Sequence, residues 1–349
     1  MTTMQTVLEQ LVDEGWLAPD ARATIVSALS APDDAAGTPW YVRALVGISA
    51  WIAAVLLTAF LVGGTQLVNS AEASIVAGLI LCAVAIAMRR TLSRSIFAAQ
   101  LALALSMAGQ ALFTFGVADF SNGVLAIVVG LVVLEVALIA IYPDMLHRFL
   151  STVVIVGALV ALLLDWNLPG LVHLLVGLLA AGALVLWERE STLVVAQFEG
   201  WSRPIGYGLI VALLGVLCLG LTDLIAIPYW WISGLLLLPM LLVLEYRVVS
   251  RFEPRANAAI APWLVGATVL VSLPALWTPG VLAAVIAIVL GFQRGNRLLL
   301  GIGAFFLVVF LIAFYYHLDV TLLLKSLLLL ATGLLLLGLR ALMPREPSV

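Results

Sequence analysis

The sequence has few charged residues, only two cysteines and a single lysine. Charged residues make up 10% of the 349 positions and the formal net charge is −3, which gives no basis for binding nucleic acid or an acidic substrate. Cys82 and Cys218 both lie within apolar runs. We therefore expect neither a disulfide framework nor a metal site built from paired cysteines.

Motifs of known enzyme classes are also missing. The chain contains no HExxH, P-loop, GxSxG or CxxC sequence. The segment from Trp231 to Gly234 reads WISG and lacks the first glycine of an intramembrane serine-protease motif, and RRTLSR, at residues 89–94, lacks the Gly-Asp-Arg signature of the major facilitators. The sequence thus predicts no enzymatic activity, no catalytic residue, no cofactor and no metal.

Apolar residues dominate what is present. They make up 64% of the chain, and the mean hydropathy is +1.22. Runs long enough for a membrane-spanning helix, about 20 residues, alternate with short polar breaks. The pattern predicts an all-α, polytopic membrane bundle of about twelve helices in hairpins, with spans at 42–63, 72–88, 96–116, 123–142, 149–164, 169–187, 204–222, 229–246, 259–277, 279–292, 298–316 and 320–341. The spans that start at 149 and 279 are shorter than the others.

The first residues differ from the rest in composition. Residues 1–30 show helical spacing of apolar side chains on both sides of Gly15 and Pro19, which predicts a small cytoplasmic helical hairpin. Residues 31–41 form a linker, residues 42–341 the transmembrane domain and residues 342–349 a cytoplasmic tail. The N-terminal segment has no basic and apolar pattern of a signal peptide, so we expect the first span to direct insertion.

The arginines indicate the orientation in the membrane. With the N-terminus in the cytoplasm, all fifteen arginines fall on the inner side, whereas Glu72, Asp119, Asp165, Asp223 and Asp319 each occupy a different outer link. This distribution follows the positive-inside rule. It predicts an even number of spans with both termini cytoplasmic.

Glu135 is the candidate for chemistry inside the membrane. It lies about 10 Å from the cytoplasmic end of its span at 1.5 Å per residue, with Gln100 at a similar depth in the preceding span. A carboxyl group at that depth must be protonated or paired. Two interpretations stay open: a neutral glutamate that bonds within a helix pair, for instance to Gln100, or a proton or cation site.

A second group of polar residues lies near the outer surface. Tyr315, His317, Asp319 and Lys325 either line an outward cavity or dock a partner, and Gln110 and His173 could join them. In the simpler interpretation, Lys325 extends its stem to the interface near Asp319, and His173 is an interfacial histidine.

The inner turn that precedes the penultimate span carries Arg294, Gly295, Asn296 and Arg297. The Gly-Asn pair favours positive φ, and the two flanking arginines anchor the turn on the cytoplasmic side. The same turn could hold an anionic headgroup.

Four segments together resemble a known family. GFQRGNRLLLGIG, YYHLDVTLLLKS and LLATGLLLLGLR, with PWYVRALVGISAW at residues 39–51, are similar to a bacterial membrane-protein family known only as a domain of unknown function, DUF4401. The resemblance extends over about residues 39–341 and rests chiefly on the last fifty. It implies a bacterial inner-membrane protein, often encoded beside a membrane-anchored protein with a GDYxxLxY motif. It implies no activity and no catalytic residues.

Two functions remain in contention. In the first, the chain is the membrane subunit of a two-protein envelope system, and its acidic outer surface contacts an outward-facing partner. In the second, the chain is a proton-coupled secondary transporter or a flippase for a lipid-linked substrate, with Glu135, Gln100 and Lys325 around a central cavity. Interruptions at Pro239 and Pro274 would mark such a cavity.

Overall fold

We analysed a computed structural model of the chain. It describes residues 70–92, 95–121, 123–221, 227–252 and 278–317, with scattered positions at residue 14 and at 45–60, 266–276 and 326–337. The long described stretches are helical and contain no strand. Their helices are α1 (Ala71–Thr91), α2 (Ile96–Phe120), α3 (Val124–Ile141), α4 (Met145–Asp165), α5 (Leu171–Glu188), α6 (Glu190–Val195), α7 (Glu199–Leu219), α8 (Trp231–Phe252), α9 (Pro279–Gln293) and α10 (Arg297–His317).

Seven of these helices, α1 to α5, α7 and α8, are long and apolar enough to cross a membrane, and α9 and the first part of α10 are shorter apolar helices. The chain is therefore a multi-pass membrane protein with an all-α fold. The described residues do not support the predicted number of twelve spans, because the spans expected at 42–63, 259–277 and 320–341 lie largely outside them. The predicted N-terminal hairpin and the C-terminal tail also lie outside, apart from residue 14.

Polar side chains just before the helices determine where several of them begin. Ser70 and Ser95 accept backbone N–H bonds at the starts of α1 and α2. Asp144 accepts bonds from the backbone nitrogens of Leu146 and His147, at 2.8 and 3.1 Å, and so starts α4 at Met145. The expectation of a short span from 149 was wrong, since α4 has 21 residues.

Glycines allow α1 and α2 to pack closely. A Cβ atom added to Gly78 would lie 2.6 Å from the Gly109 carbonyl oxygen, and one added to Gly109 would lie 2.6 Å from the Gly78 carbonyl oxygen. The two backbones therefore touch at a point that no larger residue can occupy. Small residues play this part in membrane helix pairs, because close backbone approach maximises van der Waals contact.

The largest buried cluster lies in the second half of the described chain, where α7 packs against α4, α5 and α9. Its fully buried side chains include Ile210, Leu213, Leu214, Ile286 and Leu290. On the outside, α3 exposes Val129, Val133 and Val136 at helical spacing. A continuous apolar face of this kind suits contact with lipid.

Ion pairs and hydrogen bonds join the polar links at one end of the bundle, which we call the arginine end. Arg89 pairs with Asp144 at 3.0 Å, Arg148 donates to the Gly200 carbonyl oxygen, and Arg247 pairs with Glu188. The Asn296 amide group in turn donates to the Tyr207 hydroxyl. The links after α1, α3, α5, α8 and α9 thus lie at the same end, whereas Asp119 and Asp165 are exposed at the other.

Candidate functional site

Glu135 lies on the inner face of α3, opposite the apolar face described above. Its side chain is fully buried, with a relative exposure of 0%. Within the described residues, neither carboxyl oxygen has a hydrogen-bond partner. A buried carboxyl group without a partner is unfavourable when charged, so the group must hold a proton or a bound cation.

The hydrogen bond expected from Gln100 to Glu135 is not formed, since both carboxyl oxygens are unpartnered. Gln100 is only partly buried on α2. The two residues match in depth, but depth alone does not determine which way a side chain faces. The structure therefore does not support the interpretation in which Gln100 satisfies the Glu135 carboxyl group.

A histidine that the sequence analysis did not single out forms the centre of a polar network beside Glu135. His147, on the first turn of α4, is fully buried. Its Nε2 atom lies 2.8 Å from the Ser106 hydroxyl and 3.2 Å from the Gln110 amide nitrogen, both on α2. Its Nδ1 atom lies 3.1 Å from the Ser151 hydroxyl, one turn further along α4. The histidine ring thereby connects α2 to the interior of α4.

The amide orientation of Gln110 assigns the protons in this network. An amide nitrogen can only donate, so Nε2 of His147 accepts and the ring carries its proton on Nδ1. The Nδ1–H group then donates to the Ser151 oxygen, which leaves the Ser151 O–H free to point at another acceptor. The Ser151 hydroxyl interacts with the Glu135 carboxyl group, although the two do not meet the geometry of a full hydrogen bond.

Tyr142 covers the histidine on the side of the arginine end. Its ring stacks on His147 with a centroid distance of 4.1 Å and an interplanar angle of 20°. The phenol is fully buried and its hydroxyl has no partner among the described residues. Burial, reinforced by the nearby Asp144 carboxylate, raises the pKa of Tyr142 well above its usual value of 10.0.

Arg148 covers the histidine network on the side of the aqueous surface. Its guanidinium group donates to the carbonyl oxygens of Ile139 and Gly200 and stacks over the ring of Trp201 at 4.3 Å. The residue next to the central histidine thus bonds to the last turn of α3 and to the first turn of α7.

Two further buried polar pairs lie elsewhere in the bundle. Glu245 on α8 is partly buried and accepts a 2.7 Å hydrogen bond from the Thr268 hydroxyl. His173 bonds at 2.8 Å to the Ser233 hydroxyl and at 2.8 Å to the Pro228 carbonyl oxygen. His173, in the first turn of α5, is therefore a buried contact between α5 and α8.

The structure brings together only some of the residues that the sequence indicated. Gln110, which the sequence allowed in the outer polar group, bonds to Ser106 and His147 in the network beside Glu135. Asp319 and Lys325 lie outside the described residues, as does the side chain of His317. Tyr315 stacks edge-on against Tyr316, which is 75% exposed.

The backbone of the inner turn has the conformation that the sequence predicted. Gly295 has φ +61°, and the Asn296 side-chain oxygen accepts from the Leu299 nitrogen at 3.1 Å to start α10. Arg297 is exposed. The buried nitrogens Nε and Nη2 of Arg294 have no partner among the described residues.

The residues at the centre of the network carry no motif that could have identified them. His147 and Ser151 lie one turn apart on α4, but Ser106 is 41 residues from His147 in sequence and meets it only because α2, α3 and α4 pack together. Within the described residues, no three histidine, cysteine or carboxylate side chains are grouped to hold a metal ion.

Comparison with known proteins gives a family but no activity. The sequence model of a family described as Domain of unknown function (DUF4401) matches residues 39–346. No curated protein and no solved structure matches the chain.

Proposed function

We propose that this chain, which belongs to the DUF4401 family, is a proton-coupled membrane transporter that takes up and releases its proton at Glu135. The observation that carries the proposal is the fully buried, unpartnered Glu135 carboxyl group beside a histidine network. A structural glutamate would be expected to have its oxygens satisfied, since an unpaired buried polar group costs stability. Persistence of an unpaired carboxyl group is typical of proton and ion pathways.

The network supplies a route for the proton. A proton that reaches Nε2 of His147 from the side of Ser106 makes the ring cationic. The ring then releases its Nδ1 proton to the Ser151 oxygen, and Ser151 passes its own hydroxyl proton to the Glu135 carboxylate. One proton enters at Nε2 and one arrives on Glu135, while the neutral ring changes tautomer. Asp144 and Arg148 are charged groups that act on His147, and both already have partners.

The proposal does not depend on a broken helix. Pro239 lies inside α8, which runs continuously from Trp231 to Phe252, and the position of Pro274 lies outside the described residues. The expectation that Pro239 interrupts its span was wrong.

Proton movement in proteoliposomes tests the proposal. Purified protein is reconstituted with a pH-sensitive dye inside the vesicles, and a membrane potential is imposed. We expect inward proton flux with the wild type, loss of flux with Glu135→Gln, and normal flux with Glu245→Gln, a control at a partly buried carboxyl group on α8 that has a hydrogen-bond partner. Equal flux in wild type and Glu135→Gln would overturn the proposal.

A second measurement reports the protonation of Glu135 directly. The infrared absorption of a protonated carboxyl group is recorded as the pH is raised, and the Glu135→Gln spectrum is subtracted. We expect a band from protonated Glu135 near neutral pH that disappears when the group releases its proton. Its absence at every pH, with the protein folded, would show that Glu135 is ionised and paired.

The orientation completes the proposal. We propose that the arginine end faces the cytoplasm, because arginines concentrate on the cytoplasmic side, and that the membrane is the bacterial inner membrane, which the family resemblance implies. Both termini are cytoplasmic if the chain has the twelve spans that the sequence predicts. Cysteines introduced one at a time at Arg189 and Asp165, which are exposed at opposite ends, and labelled with an impermeant thiol reagent in whole cells, test this orientation.

We propose as a second candidate that the chain is the membrane subunit of a two-protein envelope system. The exposed Tyr316, paired with Tyr315 at the end opposite the arginines, favours a docking surface there. The partner is the GDYxxLxY-motif protein that the family resemblance implies. Charge reversal at Asp319 or Lys325 should weaken co-purification of that protein, and unchanged recovery would count against this candidate.

A further inference from the structure

Three residues connect α3 to α4, and we call them the tyrosine link: Tyr142, Pro143 and Asp144. Two consecutive arginines at the end of α1 are bonded to the two ends of this link. The Arg89 guanidinium group donates to Oδ2 of Asp144 at 3.1 Å. The Arg90 guanidinium group donates to the carbonyl oxygen of Ile141, the residue before the link, also at 3.1 Å.

Asp144 connects this attachment to the histidine network. Its Oδ2 atom pairs with Arg89, whereas its Oδ1 atom accepts from the backbone nitrogens of Leu146 and His147. The side chains of the ion pair are 22% and 20% exposed, so water reaches both. A single carboxylate therefore links an arginine at the aqueous surface to the backbone of the central histidine.

The Tyr142 ring separates the network from the solution at the arginine end. It packs against Ala85 of α1 and against Ala102 and Leu105 of α2, and it stacks on His147 with the centroids 4.1 Å apart. The ring and the residues around it are buried. As long as Tyr142 keeps this position, water from the arginine end does not reach the histidine.

The hydroxyl group of Tyr142 works against this closed position. It is buried and has no hydrogen-bond partner among the described residues, and a buried hydroxyl group without a partner lowers stability. Contact with water would satisfy it. Ring packing and the two arginine bonds thus favour the closed position, while the hydroxyl group favours an open one. Such opposing contributions are what a two-state element requires.

We propose that the tyrosine link is the gate through which the histidine network exchanges protons with the solution at the arginine end. The proposal rests on the proton-coupled function proposed above. Arg89 and Asp144 are positioning residues that keep Tyr142 on His147. When their ion pair breaks, the link moves away from the ring, water reaches the imidazole group, and a proton enters or leaves there.

Cys82 reports the opening of the gate without any measurement of proton movement. Its thiol is 3% exposed, and its sulfur atom donates to the carbonyl oxygen of Ser106 at 3.6 Å, the serine whose hydroxyl group bonds to His147. Cys82 lies three residues before Ala85, on the same face of α1 and further from the arginine end. A water-soluble reagent that enters from that end has to pass Tyr142 first.

The rate of Cys82 labelling tests the gate. The full chain with Cys218→Ser, which leaves Cys82 as its only cysteine, is purified in a nonionic detergent and treated with a small cationic methanethiosulfonate, and mass spectrometry follows the labelled fraction. We expect Arg89→Gln to increase the rate about fivefold, which corresponds to ~1 kcal/mol. Tyr142→Phe keeps the ring and removes only the unsatisfied hydroxyl group, so we expect it to label more slowly than the parent protein.

Arg247→Gln is the matched control. It breaks the ion pair with Glu188 at the same end of the bundle but leaves the tyrosine link unchanged, and we expect it to label at the parent rate. Helical circular dichroism checks that each variant is folded. If Arg89→Gln fails to fold, Tyr142→Phe decides the question, because a rate equal to that of the parent protein would overturn the proposal.

The remaining outcomes separate the gate from the transport function. An unchanged rate in folded Arg89→Gln overturns the gate, as do equal increases in Arg89→Gln and Arg247→Gln, which would show a general loosening of the arginine end. The expected changes in labelling, together with no proton flux in wild-type proteoliposomes, would confirm the gate as a barrier to water and overturn only the proton-coupled function.

Discussion

Replacing Glu135 by methionine should make the protein more stable while it abolishes proton movement. Methionine has a side chain of similar length and no hydrogen-bonding requirement. The wild type buries two carboxyl oxygens without partners, and a buried polar group left unsatisfied costs ~1–3 kcal/mol. We therefore expect Glu135→Met to increase the free energy of unfolding by about 1–2 kcal/mol. This increase is smaller than the cost of the unsatisfied carboxyl group, because the new side chain packs imperfectly.

The neighbouring histidine should behave in the opposite way. His147 bonds to Ser106, Gln110 and Ser151, so His147→Leu leaves buried polar side chains unsatisfied. We expect that variant to lose about 2–4 kcal/mol. Two adjacent buried polar residues should thus give changes in stability of opposite sign.

Denaturant titration in mixed micelles, followed by helical circular dichroism, measures both changes. The midpoint and the slope are compared, so that a change in the unfolded state is not mistaken for a change in the folded one. A loss of more than ~1 kcal/mol in Glu135→Met would refute the reasoning. It would show that the carboxyl group has a stabilising partner such as a bound ion.

Three other substitutions test separate features. Gly109→Ala should lower the free energy of unfolding by about 1–3 kcal/mol, because the added carbon would lie 2.6 Å from the Gly78 carbonyl oxygen. Gly157→Ala is the control, since no atom lies within 4 Å of its added carbon, and it should be neutral or stabilising in a melting experiment. Since burial raises the pKa of Tyr142 above 10.0, the folded state favours the neutral phenol and this contribution to stability is lost as the pH rises above 10.0. As the pH is raised from neutral, the free energy of unfolding should fall less in Tyr142→Phe than in the wild type. Equal falls in the two proteins would contradict the raised pKa of Tyr142. Asp144→Ala should cost about 1–2 kcal/mol, since it removes a helix cap as well as an ion pair, and should exceed the cost of Arg89→Ala in the same unfolding assay.

The helix bounds follow closely from the sequence, because a membrane helix needs an apolar run of fixed length. The span expected at 72–88 is α1, at Ala71–Thr91, and the short span expected at 279–292 is α9, at Pro279–Gln293. The start of α4 was missed because the cap at Asp144 adds a polar first turn that contains His147 and Arg148. Hydropathy does not detect such a turn.

Glu135 could be singled out from the sequence, because a carboxyl group within an apolar run is rare. Its surroundings could not be predicted, since they depend on how each helix is rotated. Gln100 and Ser106 are six residues apart, which is about 240° around a helix, so only one of them can face His147. The hydropathy pattern did not show which, because apolar residues flank both positions along α2.

The position of α3 decides from which direction small molecules can approach Glu135. This helix exposes Val129, Val133 and Val136 on one face and buries Glu135 on the other, so a single helix, about 10 Å across, separates the carboxyl group from the surrounding hydrocarbon. A lipid-soluble carbodiimide, which reacts with protonated carboxylic acids, therefore has a short sideways path out of the bilayer itself. A water-soluble carbodiimide has to enter past Tyr142 and Arg148. The reactivity of different carbodiimides with Glu135 should therefore increase with their partitioning into oil.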